Sequence, residues 1–449
     1  MENSGAIKLN DFTEGPILLP LIRFSIPVLF ALLLQAMYGA VDLMVVGRFA
    51  SSADVSAVAT GSNIMMTLTN PLSSFAMGIT VLLGQQIGRK ETEKAGHTIG
   101  AGIVLFALLG LLMTAVLTIF TRPLAVLMHA PAEAFDKTAA YVRICGSGVL
   151  VIISYNLLGS IFRGIGDSRT PLMAVAIACL FNIAGDLFLV SVCHLGAAGA
   201  AIATVGAQAV SVLLSLFLIS RRRLPFAFHV NMIRFRPDIC ARIIRLGLPL
   251  ALSDLLVGIS FMVIQSIVNS LGLIASAGIG VAEKVCGFIM LVPSSFMQSM
   301  AAFTAQNMGA GRQNRAKKAL LIGIGLSMCA GIVMFVLNFY RGDLLCSLFS
   351  NDPEVVLAGA DYLKAYAIDC LLTAVFFVFI GFYNGLGMTR FVMVQGIVSA
   401  FLIRIPVSYL MSRLRPVSLF RIGLATPCSS AVQIVMCLVC LYRIRKSLQ

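Results

Sequence analysis

The sequence is short of charged residues and has no tryptophan at all. Asp, Glu, Lys and Arg make up 12% of its 449 residues, whereas a soluble domain of this length would carry roughly twice that share. Because 59% of the residues are also hydrophobic, a soluble globular domain is excluded. Without tryptophan, anchoring at a membrane interface would depend on tyrosine and basic side chains.

Histidines are few as well, and the cysteines are rarely spaced as in metal or redox sites. Both facts argue against an active site or a bound cofactor. The four histidines are His97, His129, His194 and His229. They are far apart in the sequence, and none is spaced to pair with a nucleophile. The one CxxC pair, Cys437 and Cys440, lies in an apolar segment, where packing is favoured over metal or redox chemistry. We therefore expect neither an enzyme nor a cofactor.

Long apolar runs fill most of the chain instead. Each is long enough to cross about 30 Å of hydrocarbon as a helix, and the dyad alternation typical of barrel strands is missing from the sequence. The sequence therefore predicts an all-α polytopic membrane protein with about twelve transmembrane helices. The predicted spans are 17–46, 53–85, 97–121, 132–164, 169–192, 197–220, 243–268, 275–308, 318–340, 354–386, 390–412 and 419–442.

The basic residues, which give a net charge of +14, are distributed unevenly. Most of them fall in loops on one side of the predicted helices, including the run at 221–223 and the group at 312–318. Cytoplasmic loops carry such an excess, so we expect an inner-membrane protein with both termini in the cytoplasm. Three arginines at 413–421 argue against this orientation. The charge reflects topology and anionic lipid, and no nucleic-acid partner is expected.

The sequence also repeats itself. Matching residues lie 221 positions apart: Gln85 and Gln306, Tyr141 and Tyr362, Gly166 and Gly387, and Arg169 and Arg390. A constant offset over most of the chain indicates two copies of one fold. In so apolar a chain it is typical of a transporter with two six-helix lobes, related by a pseudo-two-fold axis along the membrane normal, with a cavity at their interface.

The repeat divides the chain into five predicted segments. They are an uncleaved cytoplasmic N-terminal segment at 1–16, an N-lobe at 17–220, a basic cytoplasmic linker at 221–242, a C-lobe at 243–442 and a cytoplasmic tail at 443–449. Prolines inside the predicted helices, among them Pro27 and Pro249, leave backbone groups without partners. They serve either a gating bend or packing.

Two acids lie inside predicted spans of the N-lobe. A carboxylate near the bilayer centre costs at least ~2.5 kcal/mol, so Asp42 and Asp186 are candidate functional residues. At a rise of about 1.5 Å per residue, both are expected roughly 6–9 Å below the outer boundary. Thr204 is expected at a similar depth, and Asn182 lies one turn before Asp186 on the same face.

Two glutamines extend this group along the same helices. Gln35 lies two turns from Asp42, and Gln208 lies one turn after Thr204. Such oxygen-rich side chains suit either a hard cation such as Na⁺ or a shared proton. The alternative is that each acid is satisfied by an interhelical hydrogen bond or lies in a water-filled vestibule. The repeat counterparts of both acids are apolar, which favours function over scaffold.

The C-lobe has acids of its own, Asp254, Glu283 and Asp369. Two basic residues, Lys284 and Arg404, are also predicted inside its spans. One interpretation is that the acids form ion pairs with these basic residues, which would keep charge in the membrane neutral. The other is a second-lobe site for a proton or a cationic substrate.

Four motifs stand out beside the repeat. They are VDLMVVG at 41–47, RGIGDSRTP at 163–171, NxxxD at 182–186 and QNMGAG at 306–311. In the second motif, Asp167 or Ser168 is expected to cap the following helix. Together with the two-lobed layout, these motifs resemble the multidrug and toxic compound extrusion (MATE) transporters over nearly the whole chain.

The resemblance is to the DinF-like branch of that family. The residues that match its first-lobe cation or proton site are Asp42, Asn182, Asp186 and Thr204. It implies a cation-coupled antiporter, driven by inward H⁺ or Na⁺, that exports amphipathic and often cationic drugs or toxic metabolites by alternating access. The residues expected to contact substrate in the cavity are Gln35, Asn156 and Gln208. The second-lobe acids of the NorM-like branch correspond here to Val257 and Thr373, which disfavours a site of that type.

The expected partners are small amphipathic or cationic substrates and the lipid bilayer, and the protein is expected to be a monomer. Its only other ligand would be the coupling ion. The alternative is a lipid-linked oligosaccharide flippase of similar helical layout, but that function would require a strongly cationic cavity, and the N-lobe offers acids. A receptor or structural protein would not explain acids inside the membrane.

Overall fold

The computed structural model describes residues 12–128, 130–221 and 228–445, and these ranges contain helices and short connections but no strands. The prediction of an all-α polytopic membrane protein is confirmed. Eleven described segments are long and apolar enough to cross a membrane, or twelve if the bent pair Phe135–Ser147 and Val149–Gly164 forms one span. The predicted N-terminal segment, linker and tail lie partly outside the described residues, as does His129.

Eight α-helices are described before the central basic segment. They are α1 (Leu18–Phe49), α2 (Ser52–Gly88), α3 (Thr92–Ile119), α4 (Thr121–Leu127), α5 (Phe135–Ser147), α6 (Val149–Gly164), α7 (Arg169–Asp186) and α8 (Gly196–Arg221). A π-helix, Leu187–Val192, continues α7. Helices satisfy their backbone polar groups internally, as hydrocarbon requires.

Nine more α-helices are described after that segment. They are α9 (Pro237–Asn269), α10 (Leu273–Ile289), α11 (Leu291–Gly309), α12 (Gln313–Ser347), α13 (Pro353–Gly385), α14 (Thr389–Val398), α15 (Ile405–Arg413), α16 (Leu419–Gly423) and α17 (Ala425–Ile444). A second π-helix, Ser399–Arg404, joins α14 to α15.

Several predicted span boundaries differ from the structure. The span predicted at 132–164 is the pair α5 and α6, which meet at a bend of 50°. The span predicted at 275–308 is divided into α10 and α11 at Met290. Helix α9 begins at Pro237, inside the segment predicted as a linker, because proline is well suited to the first turn of a helix.

The chain forms two compact units. The first contains Ile26–Ala251, and the second contains Phe12–Ser25 and the chain from Leu252 onward. Helices α1 and α9 therefore contribute residues to both units, and each changes unit next to its internal proline, Pro27 or Pro249. Proline removes a backbone hydrogen bond from a helix, so each of these helices can bend where it passes from one unit to the other.

The internal repeat is visible in the backbone of two turns. Gly166 and Gly387 follow α6 and α13 with φ angles of +86° and +80°. Only glycine adopts this conformation without steric cost, which explains why it recurs at both positions. The predicted helix cap is also confirmed: Asp167 Oδ1 accepts hydrogen bonds from the first two N–H groups of α7 at 3.0 and 3.1 Å. Ser168 does not contribute its side chain.

Candidate functional site

Four polar residues from three helices come together inside the first unit. Asp42 lies on α1, Asn182 and Asp186 on α7, and Thr204 on α8. The Thr204 hydroxyl donates a hydrogen bond to Asp42 Oδ2 at 2.8 Å, and the Asn182 amide donates to Asp186 Oδ2 at 3.5 Å. The Asp42 and Asp186 side chains also interact with each other. Asp42 is 2% exposed, and Asn182 and Asp186 are fully buried. We call these four residues the acidic cluster.

Close packing of α7 on α8 brings the cluster together. A Cβ atom at Gly185 would lie only 3.1 Å from the Cβ atom of Ala203. The small residues at these two positions allow their neighbours Asp186 and Thr204 to reach the same space. Immediately after Asp186 the backbone becomes a π-helix, a local widening that is frequent at functional sites.

Three oxygen atoms of the acidic cluster have no hydrogen-bond partner among the described residues. They are Asp42 Oδ1, Asn182 Oδ1 and Asp186 Oδ1. Leaving a buried polar atom unsatisfied costs about 1–3 kcal/mol, and more when the group is charged. Two adjacent buried carboxylates also repel each other. A hard cation bound by these oxygens, or a proton held between the carboxylates, would relieve both costs, so the donor set fits Na⁺ and H⁺ alike.

Two tyrosines lie beside the cluster, although the sequence pattern did not predict them as site residues. Tyr38 lies one turn before Asp42, and its hydroxyl donates to the carbonyl oxygen of Val175 on α7 at 3.1 Å. Tyr141 on α5 is close enough to both cluster carboxylates to interact with them electrostatically. Its recurrence as Tyr362 in the repeat marked it in the sequence, but only as part of the scaffold.

The three residues predicted to contact substrate are not part of the acidic cluster. Gln35 is exposed on α1. Asn156 is half-buried and donates to the Ile152 carbonyl oxygen of its own helix at 3.1 Å. Gln208 Oε1 is buried without a partner among the described residues. In the described chain none of the three is hydrogen-bonded to the acidic cluster, and their role stays a prediction.

The acids of the second unit do not form a comparable cluster. Asp254 and Glu283 are exposed, whereas Asp369 is 1% exposed. Asp369 and the buried Arg404 form no ion pair within the described chain. The predicted second-lobe site therefore has a single buried acid, and its function stays a prediction.

The environment of Arg404 explains how a buried guanidinium is held without an ion pair. Its two terminal nitrogens donate to the hydroxyls of Ser260 and Ser429 at 3.3 and 3.4 Å. Its charged carbon lies 4.5 Å from the centre of the Phe261 ring, close enough for a cation–π interaction. Hydroxyl oxygens and an aromatic face thus replace the carboxylate that the ion-pair interpretation required.

A third buried acid of the first unit, Asp54, was not singled out in the sequence. Its Oδ2 atom pairs with Lys137 Nζ at 2.6 Å and accepts from the Ser51 hydroxyl at 2.5 Å. Its Oδ1 atom accepts from the Ala197 N–H at 3.1 Å, in the first turn of α8. Asp54 thereby connects α2 and α5 to the start of the helix that carries Thr204. The capping-box spacing of Ser51 and Asp54 could have revealed it.

We expect Asp54→Asn to destabilise the protein by about 2 kcal/mol, because charge-assisted hydrogen bonds to a buried carboxylate are lost. The matched control is Asp136→Asn, which removes the carboxylate of an exposed ion pair with Arg122 and should cost less than about 0.5 kcal/mol. Thermal unfolding of the purified variants in detergent measures both effects. Equal midpoints for the two variants would contradict a structural role for Asp54.

The chain is similar to known proteins in both sequence and structure. A family model described as MatE matches residues 27–188 and again residues 249–410. The "Probable multidrug resistance protein YpnP" of Bacillus subtilis is 28% identical over 407 residues, which cover 90% of this chain and 91% of that protein. The "Multidrug export protein MepA" of Staphylococcus aureus is 22% identical over 409 residues, covering 91% and 90%.

Solved structures share the fold along almost the whole chain. The structure described as "Crystal structure of MATE in complex with MaL6" has a TM-score of 0.91 and 19% identity, with 99% of each chain covered. A MOP superfamily transporter from Pyrococcus furiosus has a TM-score of 0.92, again with 19% identity and 99% coverage of both chains. The family model matches the two halves at starting points 222 residues apart, in agreement with the internal repeat.

Proposed function

Because this chain belongs to the MatE family of multi-pass membrane transporters, we propose that it is a cation-coupled antiporter that exports amphipathic, often cationic molecules. The family consists of transporters, so the chain is not an enzyme. Relatives such as YpnP and MepA are described as multidrug resistance and export proteins, which supports drug-like substrates. We place the transporter in the inner membrane as a monomer with both termini in the cytoplasm, in line with the positive-inside distribution of its charges.

The observation that carries the coupling proposal is the set of three unsatisfied oxygens in the acidic cluster. Other buried polar atoms of the described chain also lack partners, but two of these three belong to adjacent carboxylates, whose mutual repulsion destabilises the fold. Binding of an ion removes that cost, so ion affinity and conformation become linked. The coupling ion, H⁺ or Na⁺, is a transported substrate of this site and no further cofactor is required.

The proposed cycle follows from the position of the acidic cluster on α1. The ion enters from outside and neutralises Asp42 and Asp186, and Asn182 and Thr204 rearrange their hydrogen bonds around it. Asp42 lies 15 residues beyond Pro27, about 22 Å along the helix. A rearrangement at Asp42 bends α1 at the proline, and substrate is released outward as the cavity changes its access. Return of the ion to the cytoplasm restores the unsatisfied oxygens.

Flux measurements in proteoliposomes test the coupling and identify the ion. A fluorescent cation should be transported when a pH gradient or, alternatively, a Na⁺ gradient is imposed. An ionophore that collapses the gradient driving transport, whether of H⁺ or of Na⁺, should stop transport. Asp186→Asn should abolish ion-driven transport of the fluorescent cation. Asp136→Asn should leave that transport intact, because Asp136 is an exposed acid far from the cluster in sequence. Transport that ignores both gradients would contradict the proposal of an antiporter.

A further inference from the structure

A basic pocket lies at one end of two membrane spans in the second unit. It is an open pocket of about 760 Å³ between the residues before α1 and the start of α12. Its lining includes Pro16, Ile17, Leu18, Arg312, Arg315 and Lys318. We call it the α12 pocket.

The chain before α1 is anchored, so the α12 pocket has a defined wall. Arg315 donates to the carbonyl oxygens of Phe12, Glu14 and Gly15 at 2.8, 2.9 and 2.6 Å. Phe12 is fully buried, and its ring centre lies 5.1 Å from that of Phe303. Arg315 therefore has a structural role in holding this segment, and the ligand-binding charge must come from elsewhere.

Lys318 supplies a positive charge that is available to a ligand. It is exposed and makes neither an ion pair nor a hydrogen bond with any described side chain. Arg312 also lines the pocket, where it donates to the Thr13 carbonyl oxygen and pairs at 3.0 Å with Glu14, which is itself largely exposed. The pocket also includes Gln313 in the first turn of α12, where N–H groups lack intrahelical partners and the helix dipole is positive. These features favour an anion.

The rest of the lining is apolar and belongs to the membrane spans. Ile17 and Leu18 lead into α1, and Ile322 lies on the third turn of α12. Both helices are apolar enough to cross the bilayer. A pocket with cations at one end and span-forming apolar residues at the other matches the boundary between lipid headgroups and acyl chains. The anion that meets both chemistries is the phosphate of a phospholipid.

We propose that the α12 pocket binds the headgroup phosphate of an anionic phospholipid, with Lys318 as its principal contact, Arg312 as a second and the acyl chains on the apolar wall. Bound lipid would hold the segment before α1 against α12. This site is independent of the acidic cluster, which lies in the other unit.

The test is thermal unfolding of the full-length protein in neutral detergent, titrated with three probes. Phosphatidylglycerol should raise the unfolding midpoint in a saturable way, whereas phosphatidylcholine and inorganic phosphate at the same concentration should not. Lys318→Gln should weaken the apparent affinity for phosphatidylglycerol about fivefold. The matched control is Lys317→Gln, which removes the same charge from a neighbour outside the pocket lining and should change it less than about twofold.

Three other outcomes of this experiment would overturn the proposal. An equal shift with inorganic phosphate would assign the pocket to free phosphate instead of lipid. Equal losses in the two lysine variants would show general attraction to a basic surface. No saturable response to phosphatidylglycerol would remove the site altogether. Because Lys318 makes no described hydrogen bond or ion pair, its replacement should leave the fold intact, and the unfolding midpoint without lipid checks this directly.

Discussion

Asp42→Asn should abolish ion-coupled export while leaving the protein folded in the membrane. Asparagine keeps the shape of the side chain and can still accept from Thr204, whose hydroxyl lies 2.8 Å from Asp42 Oδ2. It removes the charge that binds the ion, so the ion no longer favours one conformation over the other. We expect efflux of a fluorescent cation from intact cells to fall by about 10- to 100-fold, in the range of ordinary coupling free energies.

The experiment requires equal amounts of wild-type and variant protein in the membrane. Asp136→Asn is a suitable control, because it makes the same change at an exposed acid on α5 that belongs to no candidate site. Efflux by this control should stay within about twofold of wild type, less than the smallest typical coupling effect. If Asp42→Asn exports as well as wild type at matched abundance, Asp42 is not a coupling residue.

Gly247→Ala should cause a large loss of stability from a single added methyl group. A Cβ atom at Gly247 would lie 2.3 Å from the carbonyl oxygen of Phe75, and one at Gly78 would lie 2.8 Å from the Gly247 nitrogen. The backbones of α2 and α9 are in contact here, and backbone atoms cannot move aside as a flexible side chain can. Overpacking of this kind costs about 1–3 kcal/mol or more, so we expect a lower unfolding midpoint and less protein in the membrane.

A second glycine on α9 provides the matched control. A Cβ atom at Gly258 would have no neighbour within 4 Å. Alanine is a better helix former than glycine by up to about 1 kcal/mol, so Gly258→Ala should be neutral or stabilising. The two variants make the same chemical change in the same helix, and opposite effects are expected. Equal unfolding midpoints would show that the helices separate readily at Gly247.

The membrane fold could be predicted from the sequence because its main constraint is local. A span must be apolar over its own length and must satisfy its own backbone hydrogen bonds. Both requirements depend only on residues that are consecutive in the sequence. The bend between α5 and α6, the division at Met290 and the two π-helices were not predicted. Such breaks depend on neighbouring helices that replace the lost hydrogen bonds, so helix composition alone does not locate them.

The acidic cluster could be predicted only as a set of residues at matched depth. Helical spacing placed Asn182 and Asp186 on one face, and topology placed Thr204 near Asp42. The same reasoning predicted too many buried acids in the second unit. Asp369 is buried there, but Asp254 and Glu283 are exposed. Depth along a span follows from the sequence, but the direction in which a side chain faces depends on how the helix is rotated against its neighbours.

The sequence by itself therefore determined a helical, two-copy membrane protein with two acids where charge is costly. Only the tertiary structure decided that Thr204 meets Asp42 across 162 residues of chain, that three cluster oxygens remain unsatisfied, and that Asp54 connects α8 to two other helices. The physical reason is the sequence separation over which the two kinds of interaction act. Hydropathy and backbone hydrogen bonding act within one helix, whereas the partners of a buried carboxylate are supplied by helices distant in sequence.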